Sequence, residues 1–390
     1  MFANHRKEDN NSEVKDNQVG FTINATRIGI RGGLRVHAES VCECLATRFD
    51  DVDAVVPDGI ALSKGIKIRT LPGWLSSSAR VSKLRPLLWL AYSALRFPRG
   101  RSRRILSTTH HALPFHKHQI LTVHDLRPYF EPDSWFQKFY FHVMLARSLR
   151  RCDGILTVSE TSKREIARVY DIDQDKILVV PNAVETPPQA EASDARFPDH
   201  RPPYLLMVGA SWKHKNALEV LEENGNWQSN FRLKIVAGAG QYSEQLKQRA
   251  QLLGITDKVE FLHDVSEEEL AALYRGCSAL VYPSRMEGFG LPPLEAMTYG
   301  KPAIVSDIPV FRELLEDAPF YVELGNSASW SRAFGELSEP GSGSEKHRRR
   351  RGYSVASKYT RERMCGRLTE ALEKIWGLRP SDMTCSNSGR

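Results

Sequence analysis

Short apolar runs alternate with helical segments through the C-terminal half of the chain. About 8 to 13 residues of helical pattern separate runs that end in Gly, Asp or Pro. The runs are residues 204–210, 232–240, 258–265, 278–284, 302–308 and 319–324. Strands that are apolar throughout and alternate with helices indicate a parallel sheet covered on both faces. This half is therefore predicted to be a Rossmann-like domain, whose ligands bind at the C-terminal ends of the strands.

The N-terminal half follows a similar pattern. Its predicted strands are residues 20–27, 105–108, 119–124, 154–159 and 176–182, and a helix reaching about Phe49 follows the first. Two capping patterns predict helix starts: Ser162 with Glu165, and Ser266 with Glu269. We therefore expect a second Rossmann-like domain, and an α/β fold class for the whole chain.

The remaining segments suggest the domain boundaries. Residues 1–19 are polar and mixed in charge, which predicts a disordered extension and gives no sign of a signal peptide. Residues 185–203 are rich in Pro, Ala and polar residues and predict a linker between domains at 20–184 and 204–354. A last helix over 355–378 and a flexible tail over 379–390 complete the assignment. Since no apolar run is long enough to span a bilayer, we expect a cytoplasmic protein.

Residues 284–302 place two carboxylates around a glycine turn. Glu287 precedes the turn, and Glu295 lies inside a helix that Pro292 or Pro293 is expected to begin. A helix that opens from a Gly turn binds anions through free amides and the helix dipole. Two carboxylates do not attract phosphate, so we interpret them as acceptors for the hydroxyls of a nucleotide sugar. The alternative is an ordinary strand-turn-helix, in which Glu295 is only a partner of the dipole.

This segment, EGFGLPPLEAM, resembles the E-x7-E motif of retaining glycosyltransferases of family 4. The resemblance covers roughly residues 20–375 and implies a GT-B fold, in which two Rossmann-like domains face a cleft. It also implies that the last helix, 355–378, crosses back onto the N-terminal domain. It implies that Glu287 contacts the donor sugar and Glu295 the ribose. It also implies that the turn holds the donor phosphates through the backbone of Gly288, Phe289, Gly290 and Leu291.

A second candidate site segment, MVGASWKHKN (207–216), combines a strand end, a loop and basic residues. Lys215 is expected to stabilise a departing diphosphate, with Gly209 as a donor-binding residue. The alternative is a solvated lysine at a helix start. Ala210 stands where the family most often has Arg, and we expect His214 or Lys213 to compensate.

Two further segments are expected to contribute to the site. His124 and Asp125 end a predicted strand and resemble the HDL strand end of the family, so we assign them to acceptor binding and His124 also to catalysis. A buried structural histidine is the alternative. Gly32 and Gly33 follow the first strand, and a glycine pair there permits close approach to the acceptor (Gly32) or the donor phosphate (Gly33).

Neither a metal nor another cofactor is expected. Five of the twelve histidines lie within 110–124, but no Cys or spaced carboxylate accompanies them before Asp125, and the resembled fold needs no metal. The six cysteines lack zinc spacing. Lys215 and the turn amides would supply the charge stabilisation that a metal provides elsewhere.

The positive charge of the chain is concentrated in one block. Between Gly59 and His124 there are twelve Lys and Arg and no Asp or Glu, within a net charge of +7. Residues 80–104 carry Leu and Ala at helical spacing between basic ends, which favours peripheral contact with an anionic membrane. A core helix with solvated basic ends is the alternative, and no nucleic-acid-binding motif accompanies the charge.

Together these features predict a retaining, metal-independent glycosyltransferase. We expect transfer of a hexose from a nucleotide diphosphate sugar to a glycan or polyprenyl-diphosphate-linked acceptor in surface polysaccharide synthesis. The His-Lys-Asn form of the 214–216 segment suggests mannose. The alternatives are other GT-B chemistry, such as an epimerase or a phosphorylase, and a non-catalytic membrane- or polyanion-binding protein on a decayed transferase scaffold.

Overall fold

The computed structural model describes residues 20–29, 32–60, 62, 66–72, 75, 92, 97, 103–113, 116, 118–185, 202–338 and 343–378. The predicted extension, the tail and linker residues 186–201 lie outside these ranges. Contacts divide the chain into two compact units. Unit 1 comprises Met1–Val123, Phe139–Leu156 and Leu368–Arg390, and unit 2 comprises His124–Lys138 and Thr157–Arg367. The predicted domain boundaries, including the return of the last helix, stay a prediction.

The first sheet of the described residues has the order β3-β2-β1-β4-β5-β6-β7, and its strands from β1 to β6 pair in parallel. Its strands are β1 (Gly20–Asn24), β2 (Val52–Val56), β3 (Lys67–Thr70), β4 (Arg103–Ser107), β5 (Gln119–Thr122), β6 (Gly154–Thr157) and β7 (Ile177–Val179). The sequence did not predict β2 and β3. The reason for β2 is its second residue, Asp53, a buried carboxylate that accepts hydrogen bonds from Thr22 (2.7 Å) and Arg103 (2.6 Å).

The second sheet lies in unit 2 and has the order β10-β9-β8-β11-β12-β13, again parallel. Its strands are β8 (Tyr204–Val208), β9 (Arg232–Val236), β10 (Val259–Leu262), β11 (Ala279–Tyr282), β12 (Ala303–Ser306) and β13 (Phe320–Val322). Each falls inside a predicted apolar run. This is the doubly wound order of dinucleotide-binding folds, in which the strand sequence reverses direction beside the first strand.

The helices of the described residues follow the strands along the chain. They are α1 (Gly33–Ala46), α2 (Arg127–Phe130), α3 (Trp135–Phe139), α4 (Ala146–Arg151), α5 (Glu160–Tyr170), α6 (Ala217–Glu222), α7 (Asn224–Trp227), α8 (Gln241–Leu252), α9 (Glu267–Gly276), α10 (Leu291–Thr298), α11 (Pro309–Leu315), α12 (Ser327–Ser338), α13 (Gly343–Ala356) and α14 (Arg361–Trp376). A π-helical turn, Tyr140–Leu145, joins α3 to α4 without a break. None of these helices is long and apolar enough to cross a membrane.

Both faces of the second sheet are covered. Along β8, Leu205 and Met207 belong to one buried cluster, and Tyr204 and Leu206 belong to another on the opposite face. This alternation follows from the period of two in a strand. The sheet is therefore a rigid support, and its loops carry the polar groups.

Of the two predicted helix caps, one is present in the structure and the other is not. The Ser266–Glu269 capping box forms at α9, as predicted. The cap proposed at Ser162 is wrong, because Ser159 is the N-cap of α5 and accepts a hydrogen bond from the Ser162 amide. The Glu313 carboxylate also accepts from the first two amides of α5, each at 2.7 Å.

Two arginines of the basic block, Arg103 and Arg104, contact acidic and aromatic side chains of unit 1. Arg103 donates to Asp51 (2.7 Å) and to Asp53 (2.6 Å), both outside the acid-free block. The Arg104 guanidinium lies 5.4 Å from the ring of Trp376, whose indole donates to Asp153 at 2.7 Å. Of residues 80–104, only Tyr92, Phe97, Arg103 and Arg104 lie inside the described residues, so the proposed membrane segment is not described.

Candidate active site

The point where the strand order reverses in the second sheet lies between β8 and β11. Ligands of doubly wound folds bind in the crevice beyond the strand ends at this point. The loop after β8 carries Lys215, and the loop after β11 carries Glu287. The topology therefore brings two of the predicted site residues together.

Lys215 and Glu287 form a buried ion pair. The Lys215 ammonium lies 2.5 Å from Glu287 Oε1 and donates to the Tyr282 hydroxyl, also at 2.5 Å. The two charged side chains are only 14% and 12% exposed. Lys215 lies 4.7 Å from the centre of the Tyr282 ring, so the aromatic face also attracts the cation.

The pair fixes the charge of both members. Burial alone would lower the pKa of Lys215, but the negative charge of Glu287 raises it above its usual range. Burial would raise the pKa of Glu287, but Lys215 holds it below its usual value. A lysine has three donors, and the described contacts use two of them. The cluster is thus a fixed cation beside a carboxylate, suited to an anionic leaving group and sugar hydroxyls.

Glu295 has a different environment. It lies on α10, and the Tyr274 hydroxyl donates to its carboxylate at 2.6 Å. Burial raises the pKa of Glu295, and the hydrogen bond from Tyr274 acts in the opposite direction. Burial, followed by the charge of Glu295, raises the pKa of Tyr274 well above its usual value. The tyrosine therefore stays protonated and holds the carboxylate in one orientation.

The glycine turn is shaped by its packing. A Cβ on Gly288 would lie 1.9 Å from the His124 carbonyl oxygen, so only glycine fits. Gly290 has φ +101° and precedes α10, and a Cβ there would meet the ring of Phe311 at 2.6 Å. The glycines thus permit close packing within the protein, a role in addition to the predicted exposure of their amides.

The remaining residues of the turn point inward. Phe289 packs edge-on against Tyr359 at 5.4 Å, and Leu291 belongs to the buried cluster beneath the sheet. Their side chains are part of the core. Only their backbone is placed to serve a ligand.

His124 and Asp125 lie beside this turn. The Asp125 carboxylate accepts from the amide of Arg127, the first residue of α2, at 2.9 Å. Burial raises the pKa of Asp125, and the nearby charge of Glu287 adds to this effect. The structure therefore brings the HDL strand end, the glycine turn and Glu287 into one cluster.

The packing of the loop after β8 explains why Ala210 stands where the family most often has Arg. Gly209 has φ +75°, and its amide donates to the Val236 carbonyl at 3.0 Å. Ala210 is fully buried in the apolar cluster on one face of the sheet. A large charged side chain would not fit there in this arrangement.

The expected compensation by His214 or Lys213 stays a prediction. Burial lowers the pKa of His214 to about 4, and the charge of Lys215 adds to the effect, so the ring is neutral near pH 7. In the same loop region, the Arg285 guanidinium donates to Asn216 Oδ1 at 3.2 Å, and its amide donates to the His214 carbonyl at 2.8 Å. Lys213 is exposed at the start of the same short turn.

Gly32 and Gly33 belong to unit 1 and share no unit with the other site residues. Gly32, with φ +105°, precedes α1, and Gly33 is its first residue. Asn24, at the end of β1, donates to the Ser107 hydroxyl at 2.9 Å. The strand order of this sheet also reverses here, between β1 and β4.

A cavity of about 440 Å³ opens next to Lys215 within unit 2. Such a volume falls within the range of small-ligand pockets, about 300–1,000 Å³. Its lining is mainly polar and includes Arg127, Asp133, Trp212, His214 and Gln241. Arg127 donates to Asp133 at 2.7 Å and lies 5.7 Å from the centre of the Trp212 ring.

In the described ranges, no group of three or more His, Cys, Asp or Glu side chains is arranged to hold a metal ion. His110 and His111 instead stack on each other, with ring centres 4.3 Å apart. Burial lowers the pKa of His111 well below its usual value. The absence of a metal requirement stays a prediction.

Tyr274, Tyr282 and Arg285 were not predicted as site residues. Tyr282 ends an apolar strand, and Tyr274 lies on an amphipathic helix, so both resemble core residues in the sequence. The position of Tyr282 at a strand end beside the reversal point was the available signal.

Comparisons with known proteins agree with this geometry. The family model described as glycosyl transferases group 1 matches residues 189–355, and the model described as glycosyltransferase family 4 matches residues 31–187. O-antigen chain mannosyltransferase RfbU of Salmonella typhimurium is 39% identical over 326 residues, which are 81% of this chain and 90% of the relative. Serotype-specific mannosyltransferase WbdA of Escherichia coli is 28% identical over 225 residues, 51% of this chain but only 27% of WbdA.

The structure of sucrose-phosphate synthase from Thermosynechococcus elongatus has a similar fold, with a TM-score of 0.75 at 18% identity over 92% of this chain and 99% of that one. The predicted α/β, GT-B fold class and the resemblance to family 4 are confirmed. The chain therefore belongs to the glycosyl transferases group 1 family, and it is a glycosyltransferase.

Proposed function

We propose that this glycosyltransferase moves a mannosyl residue from a nucleotide diphosphate sugar to a lipid-linked glycan of the O-antigen type. The observation that carries the proposal is the buried Lys215–Glu287 pair at the reversal point of the second sheet. The identity to RfbU across 90% of that mannosyltransferase supports the sugar and the class of acceptor. The reaction would take place on the cytoplasmic side of a membrane, where nucleotide sugars are made.

Each group of the site has a separate task in this proposal. The bond between the sugar C1 and the diphosphate breaks, and C1 bonds to the acceptor oxygen on the same face. The proton of the acceptor hydroxyl passes to the departing diphosphate. Lys215 stabilises the developing negative charge, Glu287 orients the sugar through its hydroxyls, and Glu295 binds the ribose.

The acceptor is proposed to approach His124 and the polar cavity beside Lys215. Trp212 offers a flat apolar surface for a sugar ring, and Arg127, Asp133 and Gln241 offer hydrogen-bonding groups around it. Gly32 and Gly33 stay candidates for the acceptor and donor sides, respectively.

No metal is needed in this scheme, because Lys215 and the turn amides take the role that a divalent cation has in other transferases. We expect protein freed of metal with EDTA to transfer the sugar at the same rate as untreated protein. A rate that requires added Mg²⁺ or Mn²⁺ would contradict this part of the proposal.

The donor is identified first by ligand-induced thermal stabilisation with GDP, UDP, ADP and their common sugars. GDP and GDP-mannose should raise the Tm of the wild type more than the other nucleotides, and Glu295→Ala should abolish the rise. Glu268→Ala, an exposed glutamate on α9, is the control and should respond like the wild type. No rise with any nucleotide would contradict the proposal, and selective stabilisation by UDP-glucose would contradict mannose.

A further inference from the structure

The backbone of Asn216, the residue after Lys215, has an uncommon conformation. Asn216 has φ +59° and ψ +34°, which is the left-handed region, and it is the N-cap of α6. Residues other than glycine occupy this region at a cost in free energy and persist there where the surrounding structure holds them. Asn216 is 2% exposed, so other protein groups, and not solvent, have to hold its side-chain amide. The direction of the chain at Lys215 therefore depends on the partners of this amide.

Glu219, on α6, holds the nitrogen end of this amide. Glu219 Oε2 accepts a hydrogen bond from Asn216 Nδ2 at 2.6 Å. Glu219 Oε1 accepts from the Trp330 indole at 2.9 Å and from the Gly325 amide at 2.8 Å. Because Trp330 is fully buried in an apolar cluster of unit 2, these bonds anchor the carboxylate to the core. Glu219 thus connects the turn that carries Lys215 to the packed interior of unit 2.

Arg285 holds the oxygen end of the same amide. Its guanidinium donates to Asn216 Oδ1 at 3.2 Å, and its backbone amide donates to the His214 carbonyl at 2.8 Å. Arg285 shortly precedes Glu287 on the loop after β11. Asn216 therefore joins the loop that carries Lys215 to the loop that carries Glu287.

We propose that Glu219 is a positioning residue of the transfer reaction, which acts through Asn216 on the place of the Lys215 ammonium. This role rests on the proposed function of Lys215, which is to stabilise the departing diphosphate. A displacement of about 1 Å at a reacting group can lower a rate about 100-fold. Loss of the hold on Asn216 is therefore expected to slow the chemical step. Donor binding should persist, because it is assigned to the turn amides and Glu295.

Glu219→Gln separates the link to Asn216 from the links to the core. The oxygen of the Gln amide can still accept from Trp330 and Gly325, which both donate to Oε1 in the wild type. Its NH2 group then faces the NH2 group of Asn216, and two donors cannot bond to each other. The variant should fold, and its kcat should fall about 10–100-fold with the KM for the donor changed less than about threefold.

A second substitution should restore the missing link with donor and acceptor exchanged. In Asn216→Asp/Glu219→Gln, the introduced carboxylate can accept from the introduced amide and also from Arg285. Asp, like Asn, tolerates the left-handed conformation, and the net charge of the two residues equals that of the wild type. The double variant should therefore recover most of the lost kcat. Asn216→Asp alone brings two carboxylates together and should lower kcat in the same way as Glu219→Gln.

Glu223 provides the matched control. It lies one turn further along the chain than Glu219, and its Oε2 accepts from Asn226 Nδ2 and from the Ser327 hydroxyl, each at 2.7 Å. Within the described ranges, its carboxylate makes no hydrogen bond to Asn216. Glu223→Gln therefore makes the same chemical change in a comparable network, and it should keep the kcat of the wild type.

The assay is steady-state transfer from the nucleotide sugar that stabilises the wild type most in the thermal measurements described above. The acceptor is the lipid-linked glycan fraction extracted from cells that lack the enzyme. Lys215→Met is measured beside the other variants, and circular dichroism at the assay temperature verifies that each protein is folded.

The outcomes separate the role of Glu219 from the role proposed for Lys215. Full kcat in Lys215→Met, or no transfer by the wild type, would contradict the proposed function and the role of Glu219 with it. Loss of kcat in Lys215→Met together with wild-type kcat in Glu219→Gln would overturn the role of Glu219 alone. An equal loss in Glu223→Gln, or no recovery in the double variant, would show that Glu219 only supports the fold and would overturn its positioning role too.

Discussion

Removal of one partner from the Lys215–Glu287 pair should destabilise the protein much more than removal of both. Lys215→Met leaves the Glu287 carboxylate buried without its cation, and Glu287→Gln leaves the ammonium without its anion. The two side chains are 14% and 12% exposed, so solvent compensates little. Each single change should therefore lower the free energy of unfolding by about 3–5 kcal/mol.

The double variant, Lys215→Met/Glu287→Gln, removes both charges and should come within about 1–2 kcal/mol of the wild type. Urea unfolding followed by circular dichroism gives the four free energies of this cycle, and their coupling should be at least about 2 kcal/mol. Arg249 and Glu222 form a control pair at 2.6 Å that is about two-fifths exposed, and its coupling should stay below about 1 kcal/mol.

Activity should follow a different pattern from stability. All three variants lose the fixed cation, the fixed anion or both, so each should lower kcat by about 10²–10³-fold. Transfer of labelled sugar at saturating donor measures this loss. Additive effects on stability would refute the buried pair, and recovery of kcat in the double variant would refute its role in the reaction.

Three further changes test other parts of the site. Gly288→Ala should lower the free energy of unfolding, measured by urea unfolding, by more than about 3 kcal/mol, because the added Cβ would lie 1.9 Å from a backbone carbonyl oxygen. The control is Gly335→Ala, which has no atom within 4 Å of the added Cβ and should be neutral or stabilising in the same assay. Tyr274→Phe should weaken nucleotide binding about tenfold by calorimetry, because the Glu295 carboxylate loses the donor that orients it, and unchanged affinity would show that this hydrogen bond has no part in binding. The pKa of His214 is lower in the folded protein, about 4, than its ordinary 6.5, so its contribution to stability is complete above pH 6.5 and is lost as the pH falls toward 4. His214→Gln should therefore make urea midpoints decline less steeply over this range, and equal slopes would contradict the assigned burial.

The apolar runs predicted the strands of the second sheet because both of its faces are covered, so that each strand is apolar throughout. Strand β2 was missed because its second residue, Asp53, is a buried carboxylate whose partners Thr22 and Arg103 are 31 and 50 residues away in the sequence. The N-cap at Ser159 was missed for a different reason, since Ser162 offers an equally good local pattern three residues later.

In the candidate site, too, local sequence signals could be recognised, whereas contacts between residues distant in the sequence could not. Glu287, Lys215 and Glu295 could be proposed as site residues because charged residues at strand ends and helix starts are conspicuous in a sequence. Tyr282 and Tyr274 were not, because a tyrosine inside an apolar or amphipathic segment is usually part of the core. Their role depends on the direction of one hydroxyl, which only tertiary packing determines.

The carbonyl of Gly288 accepts a hydrogen bond from the Ser159 hydroxyl at 2.8 Å, and the turn around it leaves room for the His124 carbonyl. Three segments far apart in the chain therefore fit one another at a single glycine. A chimaera that takes the 284–302 segment from a relative with another sugar preference should inherit that preference only if the matching segments around His124 and Ser159 are transplanted with it. Specificity in this enzyme is thus expected to be exchanged, and to have evolved, as a set of three segments and not as one motif.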